Sequence, residues 1–239
     1  LDQLNLYSSN LLYNGGGNFF ILAPYHQLEN FNKHRATILH HLLKAHAGDI
    51  YFAMEALPVT ISDFNDFARL WDKVKIRANR LKKRKWGELD LEEHFETIFG
   101  PVDEGSEDNK ICKVCGSFGS KRPLEKELLE DELQICSLCH SFIDLTNQMK
   151  NAEFMLICKA TRTVSNRYDT YDDIFAQLGY SIEFFSSLPS NRKGGALYTI
   201  NDTNFLEKLC TGFRFGAYEL PVGKHGQITF EELVERCVN

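Results

Sequence analysis

Leu11-Leu12-Tyr13-Asn14-Gly15-Gly16-Gly17-Asn18-Phe19-Phe20-Ile21-Leu22 sets two short apolar runs on either side of three glycines. Strand, glycine-rich turn and strand is a strong β-hairpin signature, because glycine takes up the positive φ values of a tight turn without strain. Residues 11–13 and 19–23 are the expected strands, and Pro24 ends the second. Downstream, residues 27–46 carry Leu28, Phe31, Ile38, Leu39, Leu42 and Leu43 at helical spacing, with Arg35 the one break in the stripe. Gly48 is placed to stop that helix. Residues 49–57 then read as a strand with Ile50, Phe52 and Met54 on one face.

Ser62 is the expected N-cap of a second helix running to about Lys85. Phe64, Phe67, Trp71, Val74, Ala78 and Leu81 form its apolar stripe. Asp63 and Asp66 near its start and Lys82, Lys83, Arg84 and Lys85 at its end suit the helix dipole. Charge is sharply partitioned here. Eight of the thirteen residues from 73 to 85 are Lys or Arg, whereas residues 88–108 hold nine acids and no Lys or Arg. Leu91, Phe95 and Ile98 predict a short helix closed by Gly100-Pro101, and the polar residues 102–109 a linker. Leu124, Leu128 and Leu129 suggest a small helix within residues 121–133. Residues 154–160, 181–187, 196–200 and 213–220 read as strands, 171–178 as a short helix, 191–195 as a turn, and 229–237 as the start of a helix.

Cys112-x2-Cys115 and Cys136-x2-Cys139 are separated by twenty residues. Two residues between cysteines let both sulfurs face one point from a tight turn, and two such turns offer four thiolates in a tetrahedron. That donor set predicts a closed, structural zinc site, with Gly116 supplying a permissive backbone after the first pair. A tetrahedral sulfur site also suits iron, and His140 is an alternative ligand to Cys139. A segment of this size with few large apolar groups cannot fold alone, and structural zinc supplies on the order of 10–16 kcal/mol in comparable peptides. Cys158, Cys210 and Cys237 read as ordinary buried thiols.

The composition of the 239 residues is that of a globular protein: 43% apolar, 25% charged and 12% aromatic. No apolar run is long enough to span a bilayer. Residues 1–10 show neither the basic start nor the apolar centre of a secretory signal, and the absence of an initiator Met suggests a piece of a larger protein. Seven cysteines, an odd number, do not suit a secreted disulfide framework, so a reducing cytoplasm is expected. A formal net charge of -6 argues against non-specific nucleic-acid binding by the chain as a whole. Walker, GxSxG, HExxH and His-Asp motifs are all missing from the sequence, and no catalytic residue is assigned.

Palm-type nucleotidyltransferases place metal-binding carboxylates on a hairpin turn after two glycines. Here the corresponding positions are Gly17 and Asn18, neither charged. The turn Gly15, Gly16, Gly17 and Asn18 therefore reads as structural or as a close, non-catalytic contact for a nucleotide. His26, His34, His40, His41 and His46 read as solvated or capping residues. Lys73, Arg77, Arg80 and Arg84 share a helical face that reads as solvated or as a contact for RNA phosphates.

Taken in order, the glycine hairpin, the helix, Trp71, Lys82-Lys83-Arg84-Lys85-Trp86, Phe95-Glu96-Thr97-Ile98-Phe99-Gly100-Pro101 and the knuckles Cys112-Lys113-Val114-Cys115-Gly116 and Ile135-Cys136-Ser137-Leu138-Cys139 resemble one family. It is the large palm-domain subunit of type III CRISPR–Cas effector complexes, in the Csm branch. The resemblance implies an α+β fold: a partial ferredoxin-like palm with helical extension at 1–109, a four-cysteine zinc domain at 110–145, and a β-rich segment at 146–239 leading to a second palm that is absent. It implies a parent subunit that makes cyclic oligoadenylates from ATP with a divalent metal and cuts single-stranded DNA. The expected partners are other subunits, guide and target RNA, and ATP. Neither the Gly-Gly-Asp-Asp turn nor the His-Asp motif of those activities is in this sequence, so the chain alone is expected to be inactive and to act as scaffold. The alternative is a zinc-ribbon RNA- or protein-binding module unrelated to CRISPR.

Overall fold

The glycine stretch folds as expected, into β1 (Leu11–Gly15) and β2 (Asn18–Ile21), paired antiparallel. Gly16 and Gly17, at φ 57° and 72°, make the two-residue turn, and two consecutive positive φ values are the type I′ geometry that matches strand twist. Asn18 Nδ2 donates to the Gly16 carbonyl at 2.9 Å. The register slips between Leu11 and Tyr13, a bulge at Leu12. A computed structural model describes residues 1–100, 111–117, 124–126, 134–161, 166–192, 194–214, 222–223 and 226–227. The chain divides into two units, Leu1–Gly105 and Ser106–Asn239.

In the first unit the hairpin is followed by α1 (Leu28–His46), then α2 (Phe67–Lys82) and α3 (Leu91–Phe99). Helix α1 turns Leu39 and Leu43 inward, where they pack with Met54 and Trp86 and are flanked by Phe31, Ile38, Tyr51, Phe52, Leu89 and Ile98. The hairpin packs on α2 through rings: Phe20 stacks on Trp71 at 3.6 Å between centroids, and Tyr13 meets Trp71 edge-on at 5.9 Å.

Several expectations for this unit are corrected. Residues 49–57 form no strand. A strand needs a ladder partner, and β1–β2 is a two-stranded sheet among the described residues. The segment instead runs as a strap over α1, its Met54 carbonyl accepting from Arg35 Nη1 at 3.2 Å. Ser62 does not cap α2. Thr60 caps a 3₁₀ turn over Ile61–Asp66 through Asp63, and Asp66 Oδ1 accepts from Arg69 N at 3.1 Å to open the α-helix at Phe67. The residue in left-handed conformation after α1 is Ala47, with Gly48 following it. In α3, Ile98 packs inward with a buried His94, while Leu91 and Phe95 of the predicted stripe stand exposed.

In the second unit, β3 (Leu124–Lys126) pairs antiparallel with β4 (Gln134–Cys136). Leu124 thus starts a strand, where a small helix was expected. Helix α4 (Ser137–Lys150) follows β4 directly. A four-stranded sheet then forms from β5 (Phe154–Lys159), β6 (Tyr180–Phe185), β7 (Ala196–Ile200) and β8 (Gly212–Arg214), in the order β6-β5-β7-β8. Short α5 (Tyr171–Gln177) precedes β6, and Val222–Gly223 pairs with Gly226–Gln227 as β9 and β10. Alternation along β5 buries Phe154, Leu156 and Cys158 against Leu197 and Cys210. The expected linker at 102–109, the helix at 229–237 and Cys237 lie outside the described residues. No helix among the described residues is long and apolar enough to cross a membrane.

Candidate metal centre

Cys112, Cys115, Cys136 and Cys139 converge: their sulfurs all lie within 4.8 Å of one another. The first pair sits in a turn held by Gly116 N donating to the Cys112 carbonyl at 2.9 Å and Cys112 N donating to the Ser117 carbonyl at 2.8 Å. Gly116 has φ 71°, the backbone state that favours glycine. The second pair sits at the junction of β4 and α4. Lys113 N donates to the Gln134 carbonyl at 3.0 Å and so ties the two turns together.

The spacing of the sulfurs is compatible with one shared ion. Cys115 Sγ and Cys136 Sγ are 3.7 Å apart, close to the edge of about 3.8 Å expected for a sulfur tetrahedron with Zn–S bonds of about 2.3 Å. A disulfide needs about 2.05 Å, so this pair is not one, and the four are free thiols. Backbone N–H groups point at sulfur: Cys136 N donates to Cys112 Sγ at 3.3 Å and Cys139 N to Cys136 Sγ at 3.5 Å.

Electrostatics set Cys112 apart from Cys136 and Cys139. Burial opposes ionisation of Cys112, but N–H donors of Cys115, Cys136 and Val114 outweigh it and bring the thiol down to about 6. Burial pushes Cys136 up, against the N–H of Cys139. Burial also pushes Cys139 up, reinforced by Cys115 and Cys136. Neutral thiols packed this closely are poor partners for each other, whereas a dication stabilises all four as thiolates. The donor set fits structural zinc. His140 is paired at 3.4 Å with Asp144.

The remaining predicted positions are not assembled into this centre. Gly15, Gly16, Gly17 and Asn18 form the hairpin tip in the first unit, and a Cβ at Gly16 or Gly17 meets nothing within 4 Å. They do not line the apolar cavity of about 260 Å³ beside the hairpin, whose walls include Phe20, Phe31, Leu57, Phe67 and Trp71. Of the predicted solvated histidines, His40 is half-buried, its Nδ1 3.4 Å from Nε2 of buried His94. His94 was missed, and nothing in its position on a charged helix marks it as inward-facing. Arg77 pairs at 3.4 Å with Glu55 of the strap.

A hairpin-and-helix unit, followed in the chain by a second unit that holds a four-cysteine cluster and a small sheet, defines a mixed α+β protein. Residues 1–101 match the family described as Csm1 subunit domain B. The chain is 31% identical over 165 residues to the CRISPR system single-strand-specific deoxyribonuclease Cas10/Csm1 (subtype III-A) of Methanocaldococcus jannaschii, covering 62% of this chain and 20% of that protein. It is 27% identical over 154 residues to the protein of the same description from Thermococcus onnurineus, covering 61% of this chain and 19% of the relative. The chain is thus similar over part of its length to Cas10/Csm1 of subtype III-A systems, and it spans about a fifth of the length of the curated relatives it matches.

Proposed function

We propose that the chain serves as the domain B and zinc-bearing portion of the large subunit of a type III-A, RNA-guided antiviral effector complex. The match of residues 1–101 to Csm1 subunit domain B carries this proposal. In it, residues 1–109 are a partial palm of ferredoxin-like kind with a helical extension, residues 110–145 a zinc domain, and residues 146–239 a β-rich lead-in to a second palm. Cys112, Cys115, Cys136 and Cys139 hold zinc as a structural staple, a role their convergence supports. The turn Gly15, Gly16, Gly17 and Asn18 frames an ATP pocket through its backbone. It has no carboxylate to hold a divalent metal, so the reacting groups come from elsewhere in the parent subunit. Other subunits and guide and target RNA are the partners. Cyclic oligoadenylate synthesis and single-stranded DNA cleavage belong to the whole subunit. The description of both relatives as single-strand-specific deoxyribonucleases supports the second of these.

The test uses the intact large subunit carrying Cys112→Ser and Cys136→Ser. Zinc content, co-elution with the other subunits and target-RNA-triggered oligoadenylate are followed together. Loss of zinc with loss of assembly is expected. Normal assembly and product from a zinc-free variant contradicts the scaffold role.

A further inference from the structure

We propose that Arg77, Arg80 and Arg84, organised by Glu55, form a binding site for successive phosphates of one nucleic-acid strand. This deepens the RNA-contact part of the proposed function and rests on it for the choice of polymer. Positions 77, 80 and 81 recur at three and four, so their side chains share one face of α2, and Arg84 in the turn after the helix joins them at the same concavity. Leu81 on that face is buried and anchors it to the unit. Together with Glu55 these residues line a concavity of about 260 Å³. Its walls thus present three guanidinium groups against a single carboxylate.

The carboxylate is already engaged. Glu55 Oε1 accepts from Ala56 N at 3.0 Å and from Arg77 Nη2 at 3.4 Å, which fixes Glu55 on its own backbone and aims Arg77. The strap that carries Glu55 is itself tied to α1 by the bond from Arg35 Nη1 to the Met54 carbonyl. Arg80 and Arg84 are exposed, and no carboxylate pairs with either side chain among the described residues. A planar guanidinium presents a fork that matches phosphate oxygens. From Arg77 to Arg84 the face extends about 10 Å at helical rise. That is more than one phosphate occupies and comparable to several phosphates of a strand. Lys75 and Lys82 are also exposed but lie on the far side of α2 and do not line the concavity. They are the matched control for charge without site.

The zinc-loaded chain is titrated into a labelled single-stranded RNA oligonucleotide, with fluorescence anisotropy read over a range of salt. Arg80→Gln with Arg84→Gln is expected to weaken binding and to lower the slope of log affinity against log salt by about 1.4, two contacts at about 0.7 each. Lys75→Gln with Lys82→Gln removes the same charge and is expected to leave the slope nearly unchanged. None of these substitutions touches a core residue, so folding is preserved, as a thermal melt verifies. Equal losses in the two double variants, or no RNA binding by the unsubstituted chain, overturns the site. Efficient displacement of RNA by submillimolar ATP or inorganic phosphate overturns the strand assignment in favour of a free nucleotide or anion. Each of these results leaves the zinc-dependent assembly test unchanged, so the two proposals fail separately.

Discussion

Cys136 serves three purposes at one position. It ends β4, its sulfur caps the start of α4 by accepting from Cys139 N, and it lies 3.7 Å from Cys115 Sγ with no exposed surface. Serine keeps an acceptor there but supplies no thiolate. Cys136→Ser is therefore expected to abolish stoichiometric zinc and to unfold the knuckles, checked by elemental analysis and circular dichroism on one sample. Retained zinc at one ion per chain contradicts the ligand assignment. Gly195 is constrained by a different contact. A Cβ built there lies 2.5 Å from Cys158 Sγ and 2.5 Å from the Ile157 carbonyl oxygen. Gly195→Ala must push strand β7 away from β5, and overpacking of this kind typically costs about 1–3 kcal/mol. A urea midpoint equal to that of the unsubstituted chain argues against so close an approach.

Between elements, the contact of α1 with α3 depends on protonation. Burial lowers the pKa of His40, and the neighbouring His94 and Lys44 lower it further, with Glu93 opposing them. His41 shifts the same way, through burial and then His40. A histidine held below its ordinary value of 6.5 disfavours the protonated form in the fold. The first unit thus keeps full stability above that value and loses it as the pH falls below it. His40→Gln is expected to flatten the decline in melting temperature between about pH 7 and pH 5, and an unchanged decline assigns the effect elsewhere. Elements of this chain were legible where the signal is local. The glycine hairpin, α1 and β7 carry their period within their own residues. The strap at 49–57 has strand composition, but strand formation depends on a partner that composition does not encode. The strand at Leu124–Lys126 is fixed by pairing with β4, not by its leucine spacing. Helix α4 was missed because it starts inside the second cysteine pair and buries Ser137 and Ser141 beside Leu138, which erases an apolar stripe.

At the scale of the whole molecule, each unit has its own core: Leu39, Leu43, Met54 and Trp86 in one, Phe154, Leu156, Cys158, Leu197 and Cys210 in the other. Leu39 has no exposed surface, so Leu39→Ala is expected to destabilise the first unit by about 2–5 kcal/mol in denaturant unfolding. A loss below this range means that the site collapses around the smaller side chain. Beside the cysteines, Ile135 and Leu138 are the buried aliphatic residues among those described, so their segment is expected to depend on metal for its stability. The convergence of the four cysteines was legible, since a repeated two-residue spacing brings both pairs to one point. The Glu55–Arg77 pair was not, because the residues are 22 positions apart and meet only through the strap. X-ray absorption at the zinc edge of the purified chain addresses the centre most directly. Four sulfur neighbours at about 2.3 Å and one zinc per chain are predicted. A shell dominated by nitrogen and oxygen, or a folded chain without bound metal, contradicts the account.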